Sequence, residues 1–329
     1  MTAIVSRRVL LAAAAGAPFA GAVSGCAGTV VRPGDLNRLR VMAPAGPGGG
    51  WDTTSRILQR VLQREGLARN VQVFNVEGAG GIIGLGQLAR ETDDALLMMM
   101  GLVMLGAVLT NDSDVTLADV TPIARLTGES EIVVVPAASP YDTIGQFVDA
   151  WRRDPRGLPV AGGSAGGSDH ILAGLIAQSG RVDPRRINYI PYSGGGESLA
   201  ALLGNKVAAG ISGIGEYAEQ VRAGSLRGLA VSGRERSLRL PEVPTLTQQG
   251  FDVVLSNWRG VLARPGMSAQ ARRDLVDLVT TAHDTDAWRE ALRDQGWDNA
   301  FLAGDAYGRF LAAEEARVRG IMTDIGLIG

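Results

Sequence analysis

The sequence predicts an α/β protein built as two lobes that are joined by two strands. Its 329 residues are too many for one average hydrophobic core but suit two lobes of roughly 100 to 150 residues each. Short apolar runs alternate with segments of helical periodicity, which is typical of βαβ units and mostly parallel sheets. Glycine-rich loops recur between the predicted strands and helices, at the sheet edge where α/β proteins bind their ligands.

The first lobe is predicted over residues 38–127 and 253–329. It opens with a buried strand, a Gly/Pro loop and an amphipathic helix, which together form a typical βα unit. In chain order its first predicted elements are strand Leu39–Ala43, a helix with Ile57, Leu58, Val61 and Leu62 on one face, strand Val71–Val76, helix Gly84–Arg90, strand Ala95–Met100 and strand Ile123–Leu126.

The second lobe is predicted over residues 128–252, as an insertion into the first. Helices and strands alternate here as they do in the first lobe. The predicted elements are strand Ile132–Val135, helix Ile144–Arg153, strand Pro159–Ala161, helix Asp169–Ser179, strand Ile187–Ile190, helix Glu197–Leu203, strand Val207–Ile211, helix Tyr217–Ala223 and strand Leu229–Val231.

The remaining segment returns to the first lobe after an Arg- and Pro-rich break. Val253–Leu255 and Trp258–Leu262 are predicted as the returning strands. The tail is predicted to be helical, and it lacks the strands that a separate domain would need. Its predicted helices are Asp274–Thr281, Asp286–Gln295 and Ala306–Ile325. We therefore expect the tail to pack on the first lobe and the hinge to consist of two strands.

The N-terminus has the features of an export signal. Arg7 and Arg8 precede an alanine-rich apolar run, Val9–Val23, which is shorter than the ~20 residues of a membrane span but has the length of a signal-peptide core. The segment around Arg7 resembles a twin-arginine signal, and Val23-Ser24-Gly25-Cys26 resembles a lipobox that ends at the lipidated cysteine.

The sequence thus predicts a signal peptide over residues 1–25 and a tether over residues 26–37, lipid-anchored through Cys26. The protein is expected outside the cytoplasm, in the periplasm or at the outer face of the cytoplasmic membrane. Export by the twin-arginine or by the general route stays open. The alternative for Cys26 is a small buried side chain, the usual place of a lone cysteine.

Composition narrows the classes of function. The formal net charge is -2, so the chain lacks the basic excess of a nucleic-acid-binding protein. One cysteine and two histidines exclude an internal disulfide and offer no spacing typical of metal ligands. We expect no metal and no cofactor, and we expect the protein to act as a monomer.

Four glycine-rich loops precede predicted helices and form the candidate ligand site. They are residues 46–53, 78–81, 162–168 and 192–197. Glycine lets the backbone approach a ligand closely, and the free N–H groups of a first helical turn attract anions. The candidate ligand-binding residues are Gly48, Gly49, Gly50, Trp51, Asp52, Thr53, Gly80, Ser164, Gly166, Gly167, Ser168, Tyr192, Ser193, Gly195 and Glu197.

The loops contain no Lys or Arg, so an anion would be held by backbone amides and by the hydroxyls of Thr53, Ser164, Ser168 and Ser193. Asp52 and Glu197 each stand where a helix begins, where acids commonly cap amides or oppose the dipole. Contact with a hydroxyl of the ligand is the alternative role of this pair, and acid/base catalysis is disfavoured.

One enzyme motif is a competing interpretation. Residues 162–166 match the nucleophile-elbow pattern, with Ser164 as the nucleophile. Of the two histidines, His170 falls one turn after the elbow and His283 lies between tail helices, and neither follows a strand as the base of such a hydrolase should. The glycine loops also lack the Gly-Lys-Ser/Thr ending of a P-loop and the third glycine of a dinucleotide fingerprint.

Six motifs resemble the solute receptors of the tripartite tricarboxylate transporters. The matching segments are Ala43–Asp52, Glu77–Gly81, Gly163–His170, Tyr192–Glu197, Leu240–Thr245 and Asn257–Gly260. The resemblance implies a type II periplasmic-binding-protein fold, a small organic carboxylate held in the cleft between two lobes, and delivery to a two-component membrane permease. The glycine-rich motifs are similar to those of the tricarboxylate branch, which implies a di- or tricarboxylate. A receptor that feeds a sensor kinase is the alternative to transport.

Overall fold

The computed structural model describes residues 38–111, 113–192 and 195–329. The predicted signal peptide, the tether with Cys26, and Ser193 lie outside these residues. Within the described ranges, none of the helices combines the length and the apolar character that crossing a membrane requires.

The described residues form helices and strands that alternate over most of the chain. The strands are β1 (Leu39–Ala43), β2 (Val71–Asn75), β3 (Leu96–Gly101), β4 (Thr121–Gly128), β5 (Glu131–Pro136), β6 (Val160–Gly162), β7 (Tyr189–Pro191), β8 (Ala209–Gly213), β9 (Leu226–Val231), β10 (Arg259–Ala263) and β11 (Asp298–Ala303). The helices are α1 (Gly50–Arg64), α2 (Ile82–Leu88), α3 (Leu102–Thr110), α4 (Ile144–Arg153), α5 (Ser168–Ser179), α6 (Gly195–Leu203), α7 (Ile214–Arg222), α8 (Ala269–His283), α9 (Asp286–Gln295) and α10 (Gly304–Asp324).

The strands divide into two sheets with the same internal order. The first sheet runs β11-β4-β10-β3-β1-β2, and the second runs β7-β6-β8-β5-β9. In each sheet three parallel strands lie side by side, β2, β1 and β3 in the first and β7, β6 and β8 in the second. The next strand, β10 or β5, is antiparallel to them, and the chain enters it from the other sheet. The strand after that, β4 or β9, pairs antiparallel with β10 or β5. This shared order confirms the predicted fold with two α/β lobes.

Two antiparallel segments connect the lobes. Glu129 and Asn257 exchange backbone hydrogen bonds of 3.1 and 2.8 Å, and Ser130 bridges Ser256 in antiparallel register. The first segment leads from β4 into β5, and the second leads into β10. The hinge therefore consists of two strands, as predicted.

Three parts of the chain differ from the prediction. The tail contains a strand, β11, which pairs with β4 in an irregular register, so the prediction of a wholly helical tail was wrong. Val253–Leu255 forms no regular strand, although the Leu255 amide donates to the Ser232 carbonyl. Helix α3 was not predicted because it continues an unbroken apolar run from β3, in which nearly every residue is buried and helical periodicity is lost.

Candidate ligand-binding site

Four helices begin where parallel strands end, and their first turns carry the candidate site. Helices α1, α5, α6 and α7 follow strands β1, β6, β7 and β8. Gly49, Gly167 and Gly213 are the N-cap residues of α1, α5 and α7, and none of these caps accepts a hydrogen bond with a side chain. The N–H groups of an uncapped first turn are oriented to bind an anion.

The two lobes touch through the loop after β6. A Cβ atom on Gly106 of α3 would lie 2.0 Å from the carbonyl oxygen of Gly166. Gly166 itself has a φ of 77°, and a Cβ there would meet the side chain of Thr110. This contact requires glycine at both positions and brings the loop of the second lobe onto the helix that follows β3 in the first.

Asp52 closes the glycine loop from which α1 starts. Its carboxylate accepts hydrogen bonds from the Gly48 amide at 2.9 Å, from Arg56 Nε at 2.9 and 3.0 Å, and from Asn75 Nδ2 at 2.9 Å. Burial alone would raise the pKa of Asp52, but the hydrogen bonds from Arg56, Gly48 and Asn75 outweigh it, and the pKa is lowered. The Asp52 carboxylate thus stabilises its own loop.

Asp169 stabilises the glycine-rich loop of the second lobe in the same way. It accepts hydrogen bonds from the Gly163 amide at 2.6 Å and from Ser168 Oγ at 3.2 Å. Glu131, at the start of β5, is fully buried beside this group, and neither of its carboxyl oxygens has a hydrogen bond of good geometry. Burial and the charge of Asp169 raise the pKa of Glu131 well above its usual value. Burial also raises the pKa of Asp169, although the hydrogen bonds that its carboxylate accepts oppose this rise.

Arg259 brings a cation to the start of α1. Its guanidinium forms a buried ion pair with Glu129, with 2.6 Å between Nη2 and Oε2, and lies 5.2 Å from the ring centroid of Trp297. A Cβ on Gly50 would come within 2.7 Å of Nη2. Nη1 is buried without a hydrogen-bond partner among the described residues. An unpaired buried N–H of an arginine is a strong donor for a carboxylate.

Arg259 lies outside the four glycine-rich loops, so the sequence prediction of the site does not include it. It belongs instead to the motif Asn257–Gly260. Glu129 also accepts a hydrogen bond from the Gly215 amide at 3.2 Å, so it joins the hinge to the start of α7 as well as to Arg259. The expectation of a site without a basic side chain therefore omitted this group.

Glu216 occupies the start of α6. Its Oε2 accepts a hydrogen bond from Ser212 Oγ at 2.8 Å, and a Cβ on Gly195 would fall 1.4 Å from the same oxygen. The Glu216 side chain is exposed by area, yet burial raises its pKa to about 7. Glu216 therefore brings a carboxyl group from α7 to the first turn of α6.

The structure places the other candidate residues in differing surroundings. Trp51 is 8% exposed and packs against Gly81 and Gly101. The Gly167 amide donates to the Ser164 carbonyl at 2.9 Å, so it is already occupied. The Thr53 amide likewise donates to the Gly49 carbonyl, and the Tyr192 amide donates to the Gly162 carbonyl.

The last three candidate residues lie at the starts of helices. Gly80 has a φ of 62° and lies against Ala107. Gly195 and Glu197 lie in the first turn of α6.

The arrangement around Ser164 does not support hydrolysis. His170 stacks on Tyr189 with ring centroids 4.0 Å apart, and its Nδ1 accepts a hydrogen bond from the Gly166 amide at 3.2 Å. Burial lowers the pKa of His170 to about 4. His283 contacts Asp284 and Asn299. None of the hydrogen bonds in the described part of the chain joins Ser164 to a histidine.

Acidic and histidine side chains do not assemble a metal site in the residues that the structure describes. These residues contain no group of three or more His, Cys, Asp or Glu side chains placed to hold a metal ion. Their carboxylates instead accept hydrogen bonds from loop amides, as Asp52, Asp169 and Glu129 do.

Comparisons with known proteins agree with this architecture. The family model "Tripartite tricarboxylate transporter family receptor" matches residues 55–327. The chain is 28% identical over 295 residues to Protein BugT of Bordetella pertussis, which covers 88% of this chain and 89% of BugT.

Solved structures share the fold. MatC from Rhodopseudomonas palustris, solved with bound malate, superposes with a TM-score of 0.76 at 23% identity and covers 86% of this chain and 98% of its own. The R. palustris protein Rpa4515, solved with adipate, gives a TM-score of 0.78 at 21% identity, with 88% and 97% covered.

Proposed function

Because this chain belongs to the tripartite tricarboxylate transporter receptor family, we propose that it binds a small organic di- or tricarboxylate in the cleft between its lobes and delivers it to a two-component membrane permease. One observation carries this proposal. The buried guanidinium of Arg259 lies against Gly50 at the uncapped start of α1 and keeps Nη1 without a partner among the described residues.

A carboxylate would complete the hydrogen bonding of this guanidinium. A buried donor without a partner costs about 1–3 kcal/mol, and a carboxylate at Nη1 would remove that cost with a charge-assisted bond. Glu129 already balances the positive charge of Arg259. The guanidinium would therefore act as a directed donor, with the amides at the start of α1 adding to the attraction.

The second lobe would contribute the other half of the site. We assign the ligand contacts to the predicted loops, with Gly48 to Thr53 on one side and the loop of Ser164, Gly166 and Ser168 on the other. The rest of the second-lobe contacts would come from Tyr192, Ser193, Gly195 and Glu197. Ligand binding between the lobes would then stabilise the closed arrangement, because each lobe supplies part of the contacts.

The relatives support the class of ligand. MatC was solved with malate and Rpa4515 with adipate, and both compounds are dicarboxylates. The carboxylate is the chemical group that these two ligands share. The identity of the carboxylate would depend on the side chains that face its far end.

The N-terminus supports a place outside the cytoplasm. The proposed signal peptide would direct export, and lipidation of Cys26 would hold the receptor at the outer face of the cytoplasmic membrane, near its permease. The tether at residues 26–37 would leave the lobes free to dock.

A thermal-shift screen of the mature domain tests the proposal. A ligand that binds only the folded state raises the melting temperature by mass action. We expect one or more compounds in a panel of malate, adipate, citrate, amino acids and sugars to raise it, and the active compounds to be di- or tricarboxylates. A shift with sugars alone, or with none of the organic acids, would overturn the proposal.

A further inference from the structure

Glu216 is a carboxyl group in an unusual place for a receptor of anions. It stands in the first turn of α7, reaches the start of α6 at Gly195 and is accessible to solvent. A helix start attracts negative charge, so this carboxyl occupies a position where an anionic ligand would otherwise be favoured.

Several charged groups face Glu216 from other elements. Asp169 on α5 and Glu129 in the hinge raise its pKa, and Arg259 on β10 lowers it. Arg239, in the loop after β9, lies near Gly215, where a Cβ would be 3.3 Å from its Nη1. On its own segment, Ser212 donates a hydrogen bond to Glu216.

Arg259 provides a second, independent indication that this region receives a ligand. It is 5% exposed and has a nitrogen without a partner among the described residues, and its ion-pair partner Glu129 accepts a hydrogen bond from the Gly215 amide, next to Glu216. One carboxylate of a ligand at Arg259 would leave a second carboxylate in the neighbourhood of Glu216, Glu129 and Asp169. If Glu216 were ionised, that second carboxylate would be repelled by the charges of Glu216, Glu129 and Asp169.

We propose that Glu216, in its protonated form, donates a hydrogen bond to a second carboxylate of the ligand, so that the receptor takes up a proton when it binds. This inference rests on the proposed carboxylate-binding function. A carboxyl and a carboxylate that share a proton form a short, charge-assisted hydrogen bond. The proton also removes the repulsion between the two groups.

The direction of the pH dependence follows from linkage. Burial already raises the pKa of Glu216 to about 7 in the protein without ligand, and a neighbouring carboxylate raises it further. Affinity is therefore fully present below the pKa of the free receptor and falls as the pH rises toward the pKa of the complex. One proton taken up corresponds to about a tenfold loss of affinity per pH unit in that range.

Isothermal titration calorimetry with malate, adipate and citrate at pH 6 and pH 8 tests this inference. Two buffers of different ionisation enthalpy at each pH would report the number of protons taken up. For the tightest of the three ligands, we expect binding about tenfold weaker at pH 8 than at pH 6. Glu216→Gln should keep the affinity of pH 6 at both pH values, because the amide donates a hydrogen bond without titrating.

Glu219→Gln is the matched control, since Glu219 is exposed on the same helix one turn further on and should leave the pH profile unchanged. Wild-type affinity that is independent of pH, or an absence of proton uptake at pH 8, would overturn the inference and leave the carboxylate-binding function intact. Loss of affinity in Glu216→Gln at both pH values would also overturn it, because an ionised acceptor for a hydroxyl group of the ligand behaves in that way. Absence of binding by all three acids would overturn the proposed function itself.

Discussion

The guanidinium of Arg259 packs directly on the α-carbon of Gly50, so closely that a Cβ there would lie 2.7 Å from Nη2 and 3.0 Å from both Cζ and Nε. Gly50 is the first residue of α1 in the first lobe, and Glu129 in the hinge forms an ion pair with the same guanidinium. The start of α1, the hinge and the returning strand β10 are thereby fixed relative to one another at a single side chain.

Gly50→Ala should disturb this arrangement more than Gly49→Ala does. The new methyl group at position 50 would displace the guanidinium from Glu129, and overpacking of this kind costs about 1–3 kcal/mol. Gly49 has a φ of -74°, and a Cβ there would lie 3.6 Å from its nearest neighbour, the Gly46 carbonyl oxygen. Urea unfolding measures the free energy of unfolding of both variants. Equal stability of the two would contradict the close packing of Arg259 on Gly50.

The sequence predicts the βα units well, because their amphipathic helices and buried strands alternate clearly. Strand β1 and helices α4 and α9 have the predicted bounds. The run from Leu96 to Leu109 is apolar throughout, and a segment buried on all sides carries no periodicity to separate strand from helix. Strand β11 is at a sheet edge and partly exposed, so its alternation is weak.

The glycine loops were visible in the sequence, but their electrostatic surroundings were not. Arg259 reaches Gly50 across more than two hundred residues of chain because β10 returns from the other lobe. Burial raises the pKa of Glu216, and the charges of Asp169 and Glu129, on two other elements, raise it further. The tertiary fold brings these charged side chains together, so local sequence patterns do not predict their proximity.

Glu131→Gln should change how stability depends on pH. Burial, together with the charge of Asp169, raises the pKa of Glu131 well above its usual 4.5. In the wild type this group's contribution to stability is fully present below 4.5 and is lost as the pH rises toward the folded-state pKa. The neutral amide does not titrate, so the stability of the variant relative to wild type should increase with pH, by at most about 1.4 kcal/mol per unit.

Urea unfolding at pH 5, 6.5 and 8 measures this difference. Asp169→Asn is a companion variant, since the Asp169 carboxylate accepts the hydrogen bond from the Gly163 amide and its loss should destabilise the protein. A stability difference between wild type and Glu131→Gln that stays constant over the three pH values would show that Glu131 does not hold the proton.

The His170→Phe variant should lose less stability in acid than the wild type does. Burial lowers the pKa of His170 from 6.5 to about 4, so the neutral ring contributes stability that is lost as the pH falls from 6.5 toward 4, at most about 3 kcal/mol. Phenylalanine can keep the stack on Tyr189. We expect the unfolding free energy of His170→Phe to decline less than that of wild type between pH 6.5 and 4.5. Parallel declines would contradict a buried, neutral His170.

Cys26→Ala should release the exported protein from the membrane. If Cys26 is the lipidated residue, its loss removes the anchor while export continues. Fractionation of cells should then find the variant in the soluble periplasmic fraction and the wild type in the membrane fraction. Equal membrane association of the two proteins would contradict the lipobox assignment.

The double variant Glu129→Gln/Arg259→Met tests the role of Arg259 without leaving a buried charge. Removing both members of a buried ion pair together avoids the large penalty of an uncompensated charge, and the amide oxygen of the substituted side chain can still accept the hydrogen bond from Gly215. The control is Arg40→Met/Glu91→Gln, which removes an ion pair of 3.3 Å beside β1, away from the glycine loop that follows that strand. Circular dichroism would show that both double variants are folded.

Calorimetric titration of these two variants with the tightest ligand among malate, adipate and citrate tests most directly whether a carboxylate binds at Arg259. A hydrogen bond to a charged group contributes about 1.5–3 kcal/mol, so the Glu129→Gln/Arg259→Met protein should bind at least about tenfold more weakly than wild type. The Arg40→Met/Glu91→Gln protein should bind as wild type does. A folded Glu129→Gln/Arg259→Met protein with wild-type affinity would contradict the assignment of the carboxylate to the start of α1.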